Sequence, residues 1–325
     1  MESARPFSPA NRSSPIGSLN VYMPRTVATS EFLEPQTLAK LQGLELRAQR
    51  IVEGYVAGLH RSPYHGFSNE FAEHREYTPG DDLRYVDWKV FGKTDKVYLK
   101  QFEEETNLIC YLLLDTSESM QYQGPGSPLS KLAYAQCAAA SLAYLVLHQR
   151  DSVGLVTFDQ EVRRLIRPSS NPTQLKQLLH VMEESTAQRK TRTGPIFHDL
   201  AERLARRGIV VIISDLFDDV DSMLAGLKHF RHRRHDVILI HVLDAAEIDF
   251  PFQHVTMFKG LEALGDVVTE PRSLRAAYQQ EVASFMKQIR TGCRAQQIDY
   301  LPVRTDQPLA EVLTTFLAAR KKRIK

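Results

Sequence analysis

The sequence contains few of the features that mark secreted or strongly charged proteins. It has three cysteines in 325 residues, and Cys110, Cys137 and Cys293 are too far apart for a zinc motif or a disulfide framework. Because Cys110 and Cys137 lie in apolar segments, we expect them to be packing residues in a reducing compartment. The formal net charge is only +2, which argues against a global bias toward nucleic acid or anionic membranes.

Leader segments and long apolar runs are also missing. Residues 1–29 are rich in Ser, Pro, Asn and Arg and lack the apolar centre of a signal peptide, so we expect residues 1–30 to form a disordered tail. The most apolar helical stretch, Leu132 to Leu147, contains Gln136 and Ser141 and is too short for a membrane span. We therefore predict a cytoplasmic protein without a membrane span.

Common catalytic motifs are absent as well. The chain has no Gly-x-Ser-x-Gly elbow and no glycine-rich phosphate loop. His60, His65 and His74 are close in sequence, but their spacing does not match a zinc-binding helix. Without an activated nucleophile or a positioned base, the sequence predicts a protein that is not an enzyme.

Apolar strand segments alternate with helical segments from residue 107 to the end of the chain. The predicted strands are Leu108–Leu114, Val153–Phe158, Ile209–Ile213, Asp236–Val242 and Ile298–Val303, with Glu161–Ile166 patterned like a hairpin edge strand. The predicted helices are Leu129–His148, Thr173–Met182, His198–Arg206, Ser222–Phe230, Leu274–Ile289 and Leu309–Arg320. This alternation predicts an α/β domain over residues 107–325, a doubly wound and mostly parallel sheet with helices on both faces.

Residues 31–106 read as a small N-terminal module. Its helix is predicted over Pro35–Val56 and is expected to end at Gly54 and Gly58. The segment Arg75–Trp88 interleaves charged and aromatic residues, which indicates either a polar network that orders one structure or an exposed binding surface. A strand at Val97–Phe102 is expected to lead directly into the first strand of the α/β domain.

Polar side chains follow two of the predicted strands where each strand ends. The first strand runs into Asp115, followed by Ser117 and Ser119, and another ends at Asp215. In a doubly wound sheet of order 3-2-1-4-5-6 the first and fourth strands are neighbours, so these loops and the polar loop at Thr191 converge. Oxygen donors of this kind suit Mg²⁺ or Mn²⁺. The alternative is that these Asp and Ser residues simply form turns.

This pattern resembles the metal-ion-dependent adhesion site of von Willebrand factor A-type domains. The matching residues are Asp115, Ser117 and Ser119 for Asp-x-Ser-x-Ser, Thr191-Arg192-Thr193-Gly194 for the threonine loop, and Asp215 for the second aspartate. The resemblance implies that the serines and Thr191 bind the metal directly and that the aspartates often act through water. It also implies that a partner protein supplies one more carboxylate.

A closer resemblance extends over nearly the whole chain from Phe32. The segments that carry it are Arg75-Glu76-Tyr77-x-Pro79-Gly80-Asp81-Asp82-x-Arg84-x-x-Asp87-Trp88 and His241-Val242-Leu243-Asp244-x-x-Glu247-x-x-Phe250. They are similar to the bacterial domain of unknown function 58 family. This resemblance implies a von Willebrand A-like domain preceded by a small module, and a partnership with a MoxR-type AAA+ ATPase.

The resemblance favours metal-dependent adhesion without turnover, and two other classes of function stay open. One is a metal-dependent hydrolase or phosphoryl-transfer enzyme that uses Asp115 and Asp215. An aspartyl-phosphate enzyme would carry a second acid two residues after its nucleophile, where this chain has Ser117. The other is nucleic-acid binding through Arg231–His235, although such a run more often ends a helix.

The N-terminal module yields a first testable prediction. Burying an unpaired arginine is costly, so Arg84 should pair with a nearby acid and Trp88 should pack against an apolar surface. We expect Arg84→Ala to destabilise the protein by roughly 3 kcal/mol if its partner is buried, and by under ~1 kcal/mol if the pair is exposed. Thermal unfolding of Arg84→Ala and Trp88→Ala measures this. If both variants melt like the wild type but lose a binding partner, the segment is a recognition surface.

Overall fold

A six-stranded sheet lies at the centre of the chain. The structure, a computed structural model, describes residues 43–61, 74–76, 92, 97–100, 108–186, 193–258, 265 and 267–324. The strands are β1 (His74–Glu76), β2 (Tyr98–Lys100), β3 (Ile109–Asp115), β4 (Ser152–Phe158), β5 (Val162–Ser169), β6 (Ile209–Ser214), β7 (Asp236–Leu243), β8 (Thr256–Phe258), β9 (Val267–Thr269) and β10 (Asp299–Arg304). The helices are α1 (Leu44–Arg61), α2 (Lys131–His148), α3 (Gln174–Glu184), α4 (Thr193–Arg203), α5 (Val220–His232), α6 (Ala245–Asp249), α7 (Pro271–Ala295) and α8 (Leu309–Ile324), with a 3₁₀ turn at Glu118–Gln121.

The order of the strands confirms the predicted fold class. The central sheet runs β10-β7-β6-β3-β4-β5, and only β5 is antiparallel to its neighbour. Read from β5 to β10, with only the strands of this sheet numbered in chain order, this is the doubly wound order 3-2-1-4-5-6. Strands β3 and β6 are therefore adjacent, as expected. Strand β5 pairs with β4 as the predicted hairpin edge strand.

Both faces of the sheet are covered by helices. The side chains of each strand alternate between the faces, so an apolar strand presents apolar side chains to the helices on both sides. Leu112 and Leu114 point into a core shared with α1, α2, α3 and α8, whereas Tyr111 and Leu113 point into a core shared with α4, α5 and α7. All seven residues of β3 are buried, which explains its uninterrupted apolar sequence.

Several boundaries differ clearly from the sequence prediction. Helix α7, predicted to end at Ile289, continues to Ala295, and α8 continues from its predicted end at Arg320 to Ile324. Helix α1 does not end at Gly54 and Gly58 but continues through both to Arg61. A glycine inside a helix costs only about 1 kcal/mol, which is less than burial of the apolar side of this helix contributes. Helix α4 begins at Thr193, five residues before the predicted start at His198. The short helix α6 and the hairpin of β8 and β9 were not predicted.

Several predictions concern residues outside the described ranges. These are the tail 1–30, the segment 77–91 with Arg84 and Trp88, and the connection 101–107 between β2 and β3. The described residues of the module form an antiparallel pair, in which Arg75 lies opposite Leu99. The predicted domain boundary at residue 106 therefore stays a prediction.

Two further expectations can be compared with the described residues. All three cysteines are buried, and burial raises the pKa of the Cys110 thiol to about 12, in agreement with a packing role. Among the described helices, none is long and apolar enough to cross a membrane.

Helices α4 and α5 cross at two glycines close to the threonine loop. A Cβ atom added to Gly226 would lie 2.8 Å from the carbonyl oxygen of Gly194 and 2.9 Å from Cβ of Phe197. A Cβ atom on Gly194 would lie 2.1 Å from Oγ of Ser222. Gly194 sits in the first turn of α4, so this close approach determines where α4 begins relative to α5.

This contact predicts that Gly226→Ala is destabilising. The new methyl group meets backbone atoms that cannot move aside, and overpacking of this kind costs about 1–3 kcal/mol, more than the ~1 kcal/mol that Ala gains in helix propensity. Gly292→Ala is the matched control, because its Cβ atom would meet only the flexible methyl groups of Leu224. Thermal unfolding should place Gly226→Ala below the wild type and below Gly292→Ala. The reverse order would show that the two helices can separate.

Candidate metal site

The first loop of the site follows β3 and is held by the aspartate that ends the strand. The Asp115 side chain is fully buried, and its Oδ1 atom accepts a hydrogen bond of 2.9 Å from the backbone N–H of Ser117. This turn brings the hydroxyl oxygens of Ser117 and Ser119 to within 3.0 Å of each other. The loop is anchored to β4 by Thr116, whose N–H and hydroxyl both donate to the carbonyl of Phe158.

The second loop follows β6 and meets the first through hydroxyl groups. Ser214 donates a hydrogen bond of 2.5 Å to Oδ2 of Asp115 and accepts one of 2.9 Å from the N–H of Leu216. The hydroxyl of Ser119 lies close enough to the Asp215 carboxyl group to help lower its pKa. The strand pairing between β3 and β6 therefore brings both aspartates and both serines to one point, as the sequence predicted.

This set of donors fits a hard divalent cation. Mg²⁺ binds oxygen ligands at 2.0–2.1 Å in an octahedron, in which neighbouring oxygens are about 2.9 Å apart. The 3.0 Å between the hydroxyls of Ser117 and Ser119 matches that spacing. Among the described residues, no group of three or more His, Cys, Asp or Glu side chains is arranged to hold a metal ion, so a site here depends on these hydroxyls.

A lysine not anticipated from the sequence completes the cluster. Lys131, the first residue of α2, is 3% exposed, and its Nζ atom lies 2.8 Å from Oδ2 of Asp215 and 2.6 Å from Oε1 of Glu247. The ammonium also lies 5.8 Å from the centre of the Tyr122 ring. Lys131 therefore joins α2 to the loops that follow β6 and β7.

The loop after β7 supports Lys131 from the other side. Asp244 and Glu247 form a capping box at α6, in which Glu247 Oε2 accepts from the Asp244 N–H at 2.7 Å. The buried carboxylate of Asp244 accepts from the N–H of Gly124 and the hydroxyl of Thr305. A Cβ atom on Gly124 would lie 2.1 Å from Oδ1 of Asp244, so only glycine fits there.

His241 links the site to the neighbouring edge strand β10. Burial lowers its pKa to about 4, so the ring is neutral at neutral pH. Its Nε2 atom lies 2.9 Å from the Asp215 carbonyl oxygen, which can only accept, so Nε2 carries the hydrogen. Nδ1 then accepts from the Tyr300 hydroxyl at 2.8 Å. The segment His241–Phe250, noted in the sequence only for its resemblance, thus stabilises the candidate site.

The two aspartates have opposite protonation preferences. Burial, and then the charge of Asp215, raise the pKa of Asp115 to about 7 against the hydrogen bonds from Ser214 and Ser117. Burial would also raise the pKa of Asp215, but the ammonium of Lys131, together with the contributions of Ser119 and the N–H of Phe217, outweighs burial and lowers that pKa below its usual value. Asp215 is therefore the ionised member, and Asp115 lacks a cationic partner among the described residues.

The rim of the site carries an exposed aromatic side chain. Leu216 adopts φ = 56° although it is not a glycine, and its side chain is fully buried. The backbone at Leu216 directs Phe217 outward, and Phe217 is 58% exposed. The N–H of Phe217 donates to Oδ1 of Asp215, so the backbone of this residue lies directly beside the cluster.

The structure brings together most of the predicted site residues. Asp115, Ser117, Ser119 and Asp215 form one cluster, whereas Thr191 lies outside the described residues. The sequence reasoning missed Lys131, Ser214 and Glu247. One signal was present for Lys131, since a cation in the first turn of a helix is disfavoured by the helix dipole and needs an acidic partner.

The basic run that favoured nucleic-acid binding ends a helix, as expected. Arg231 bonds to the carbonyl of His235 and to Gln297, and Arg233 pairs with Glu202. His235 is buried at the start of β7. Within the described residues, two of the three arginines of this run are therefore engaged in contacts with the protein itself.

These features define a doubly wound α/β domain, with a cluster of carboxylates and hydroxyls at the carboxyl ends of its central strands. More narrowly, the chain belongs to the family described as protein of unknown function DUF58, whose model matches residues 73–288. The match includes β1 and β2 as well as β3 and β6, the strands that lead into the candidate site.

Similar proteins are found among bacterial sequences. Uncharacterized protein Rv1480 of Mycobacterium tuberculosis is 25% identical over 311 residues, which cover 93% of this chain and 95% of the relative. Uncharacterized protein Mb1516 of Mycobacterium bovis matches with the same identity and coverage.

Solved structures of similar shape include two from Bacteroides species. BatB from Bacteroides thetaiotaomicron is 15% identical with a TM-score of 0.43, covering 66% of this chain and 99% of that one. An aerotolerance-related membrane protein from Bacteroides fragilis is 18% identical with a TM-score of 0.41, covering 65% of this chain and 99% of that one.

The buried aspartate pair predicts an unusual dependence of stability on pH. A carboxyl group whose pKa is higher in the folded protein than in the unfolded chain stabilises the fold at low pH, and this contribution is lost as pH rises through the folded pKa. For Asp115 the loss falls between pH 3.8 and about 7. Without added metal, Asp115→Asn should therefore be more stable than the wild type at pH 8, on the order of 1–4 kcal/mol, and similar at pH 4.

Asp215→Asn is the matched control for this measurement. Its pKa is lowered by Lys131, so ionised Asp215 stabilises the fold above pH 4, and its neutral replacement should be destabilising at pH 8. Chemical denaturation at both pH values, with a chelator present, compares the variants. Equal effects of the two substitutions at pH 8 would contradict the assignment of charge.

Proposed function

We propose that the protein is a non-catalytic protein–protein interaction protein whose binding depends on a divalent metal, Mg²⁺ or Mn²⁺. Asp115, Ser117, Ser119 and Asp215 would hold the metal, together with Thr191. A bound metal would supply a positive centre for a carboxylate from a partner protein. The coarser part of this proposal, an interaction role, is supported by the von Willebrand A-like fold.

The observation that carries the proposal is an excess of buried carboxyl groups over cations. Asp115, Asp215, Asp244 and Glu247 are carboxylates with side chains at most 25% exposed, and Lys131 is the one cation that pairs with them in the described part of the chain. Isolated buried charges are strongly disfavoured unless they are paired or coordinate a metal. Asp115 in particular receives only neutral donors, so its carboxyl group is either protonated, as its raised pKa favours, or paired with an added cation, and a divalent metal would supply that cation.

At such a site, some residues would bind the metal and others would orient its carboxylate ligands. The hydroxyls of Ser117 and Ser119 are neutral ligands, so they leave most of the charge of a cation uncompensated and open to an outside carboxylate. Ser214 fixes Oδ2 of Asp115, and the N–H of Ser117 fixes its Oδ1, so this carboxylate is already oriented. Lys131 orients Asp215 in the same way.

Phe217 supports a protein as the ligand. Its side chain is 58% exposed, its N–H bonds to Asp215, and aromatic residues are enriched in the buried centres of protein interfaces. We propose a MoxR-type AAA+ ATPase as the partner, presenting an acidic residue next to an apolar side chain, and a cytoplasmic location for the complex. The partner rests on the resemblance noted in the sequence.

An enzymatic function has one observation in its favour. Pairs of carboxyl groups whose pKa values are driven apart are found in acid–base catalysis, and Asp115 and Asp215 are such a pair. Both side chains are, however, buried and hydrogen-bonded within the protein, so proton exchange with a substrate would require the two loops to rearrange. The proposal therefore keeps hydrolysis or phosphoryl transfer as the alternative.

The proposed function predicts one Mg²⁺ or Mn²⁺ site that requires Asp115. Calorimetric titration should show a single site in the wild type and none in Asp115→Ala, while circular dichroism of the two remains the same. A purified MoxR-type ATPase from the same genome should bind the wild type with Mg²⁺, and lose affinity with EDTA or in Asp115→Ala. Phe217→Ala should weaken the ATPase complex while metal binding is unchanged, because the ring is not a ligand.

Leu165→Ala is the control for the exposed aromatic residue, since Leu165 is 42% exposed on the edge strand β5 and should affect neither measurement. Metal titration that is unchanged in Asp115→Ala would refute the site. Metal-dependent hydrolysis of phosphate esters that disappears in Asp115→Ala would support the enzymatic alternative instead.

A further inference from the structure

Lys131 occupies a position that is unfavourable for a cation. It is buried in the first turn of α2, where the helix dipole and the loss of hydration both oppose a positive charge. Two carboxylates from different loops hold it there, Asp215 at 2.8 Å and Glu247 at 2.6 Å. A lysine placed at such a cost is expected to have a task beyond packing.

The contacts of Lys131 restrict how Asp215 can be used. The ammonium takes Oδ2 of Asp215, whereas Oδ1 accepts a longer bond of 3.3 Å from the N–H of Phe217. The hydroxyl of Ser119, one of the candidate ligands, lies close enough to the same carboxyl group to help lower its pKa. The carboxylate of Asp215 would therefore lie between the ammonium of Lys131 and a cation held by Ser119.

Glu247 opposes Lys131 in charge and lies on its other side. Its Oε1 atom bonds to the ammonium, and its Oε2 atom is held by the N–H of Asp244, so the carboxylate cannot rotate freely toward the serines. Lys131 is thus a fixed positive charge in contact with Asp215, and Glu247 is a fixed negative charge farther from Asp215.

We propose that Lys131 is a built-in cation that lowers the affinity of the site for divalent metals, and that Glu247 moderates this effect. The inference rests on the proposed metal site. By compensating Asp215, Lys131 reduces the negative charge that attracts the metal. Less of the positive charge of a metal bound beside Lys131 is then neutralised by Asp215. The lysine therefore weakens metal binding but strengthens the attraction of the bound metal for a partner carboxylate.

A charge-based role and a purely structural role predict different signs. If Lys131 acts through its charge, Lys131→Met should bind Mn²⁺ more tightly and Glu247→Gln less tightly, each by about tenfold. The double variant Lys131→Met/Glu247→Gln removes one charge of each sign and should return close to the wild type. If the two residues only hold the loops in place, both single variants should bind metal more weakly.

The experiment is a Mn²⁺ titration of the full chain, followed by electron paramagnetic resonance of the free ion, for the wild type and the three variants. If Lys131→Met does not fold, the test is the comparison of the double variant with Glu247→Gln. The double variant should bind Mn²⁺ about tenfold more tightly than Glu247→Gln. Equal affinities there, or weaker binding in Lys131→Met, would overturn the inference and leave the metal site itself intact.

Arg320→Met is the matched control. Arg320 also bridges two aspartates, Asp236 and Asp299, but these lie at the amino ends of β7 and β10, opposite the site. Arg320→Met should lower the melting temperature without changing Mn²⁺ affinity. Absence of Mn²⁺ binding in all variants would refute both the site and the role of Lys131, whereas binding in Lys131→Met alone would support both.

Discussion

The structure around the carboxyl ends of the central strands depends on one constraint, the burial of two neighbouring carboxylates. Asp115, the last residue of β3, is 0% exposed, and Asp215, which directly follows β6, is 3% exposed. A buried carboxylate is tolerated only where donors or cations surround it. The hydroxyl of Ser214, the N–H of Ser117 and the ammonium of Lys131 provide these contacts, and each comes from a different part of the chain.

This requirement extends from the two aspartates to the next strands of the sheet. Lys131 needs Glu247, Glu247 caps α6 together with Asp244, and Asp244 is satisfied by Gly124 and Thr305. The carboxyl ends of β3, β6, β7 and β10 are thereby joined by one polar network. Since a partly satisfied buried network is less stable than an apolar core, each member constrains the others. The site is therefore built on rigid elements, which is what precise ligand geometry needs.

Local pattern was sufficient to predict the fold and about half of the site. Buried strands and amphipathic helices have short-range signatures, so the strand order and the convergence of Asp115 with Asp215 followed from the sequence. Lys131 is 84 residues from Asp215 and 116 residues from Glu247 in the sequence. No local sequence pattern predicts contacts over such distances. The helix end expected at Gly54 was wrong for a related reason, because tertiary packing outweighs the weak propensity of a single glycine.

The backbone at Leu216 adds an argument about the kind of ligand. A left-handed conformation costs a non-glycine residue roughly 1–2 kcal/mol, and it persists only where the surroundings impose it. Here it buries Leu216 and turns Phe217 into solvent beside Asp215. A pocket for a small substrate would use an aromatic ring to exclude water, with the ring facing inward. An aromatic ring facing outward next to a charged cluster instead suits a flat and large ligand, and a protein surface has both properties.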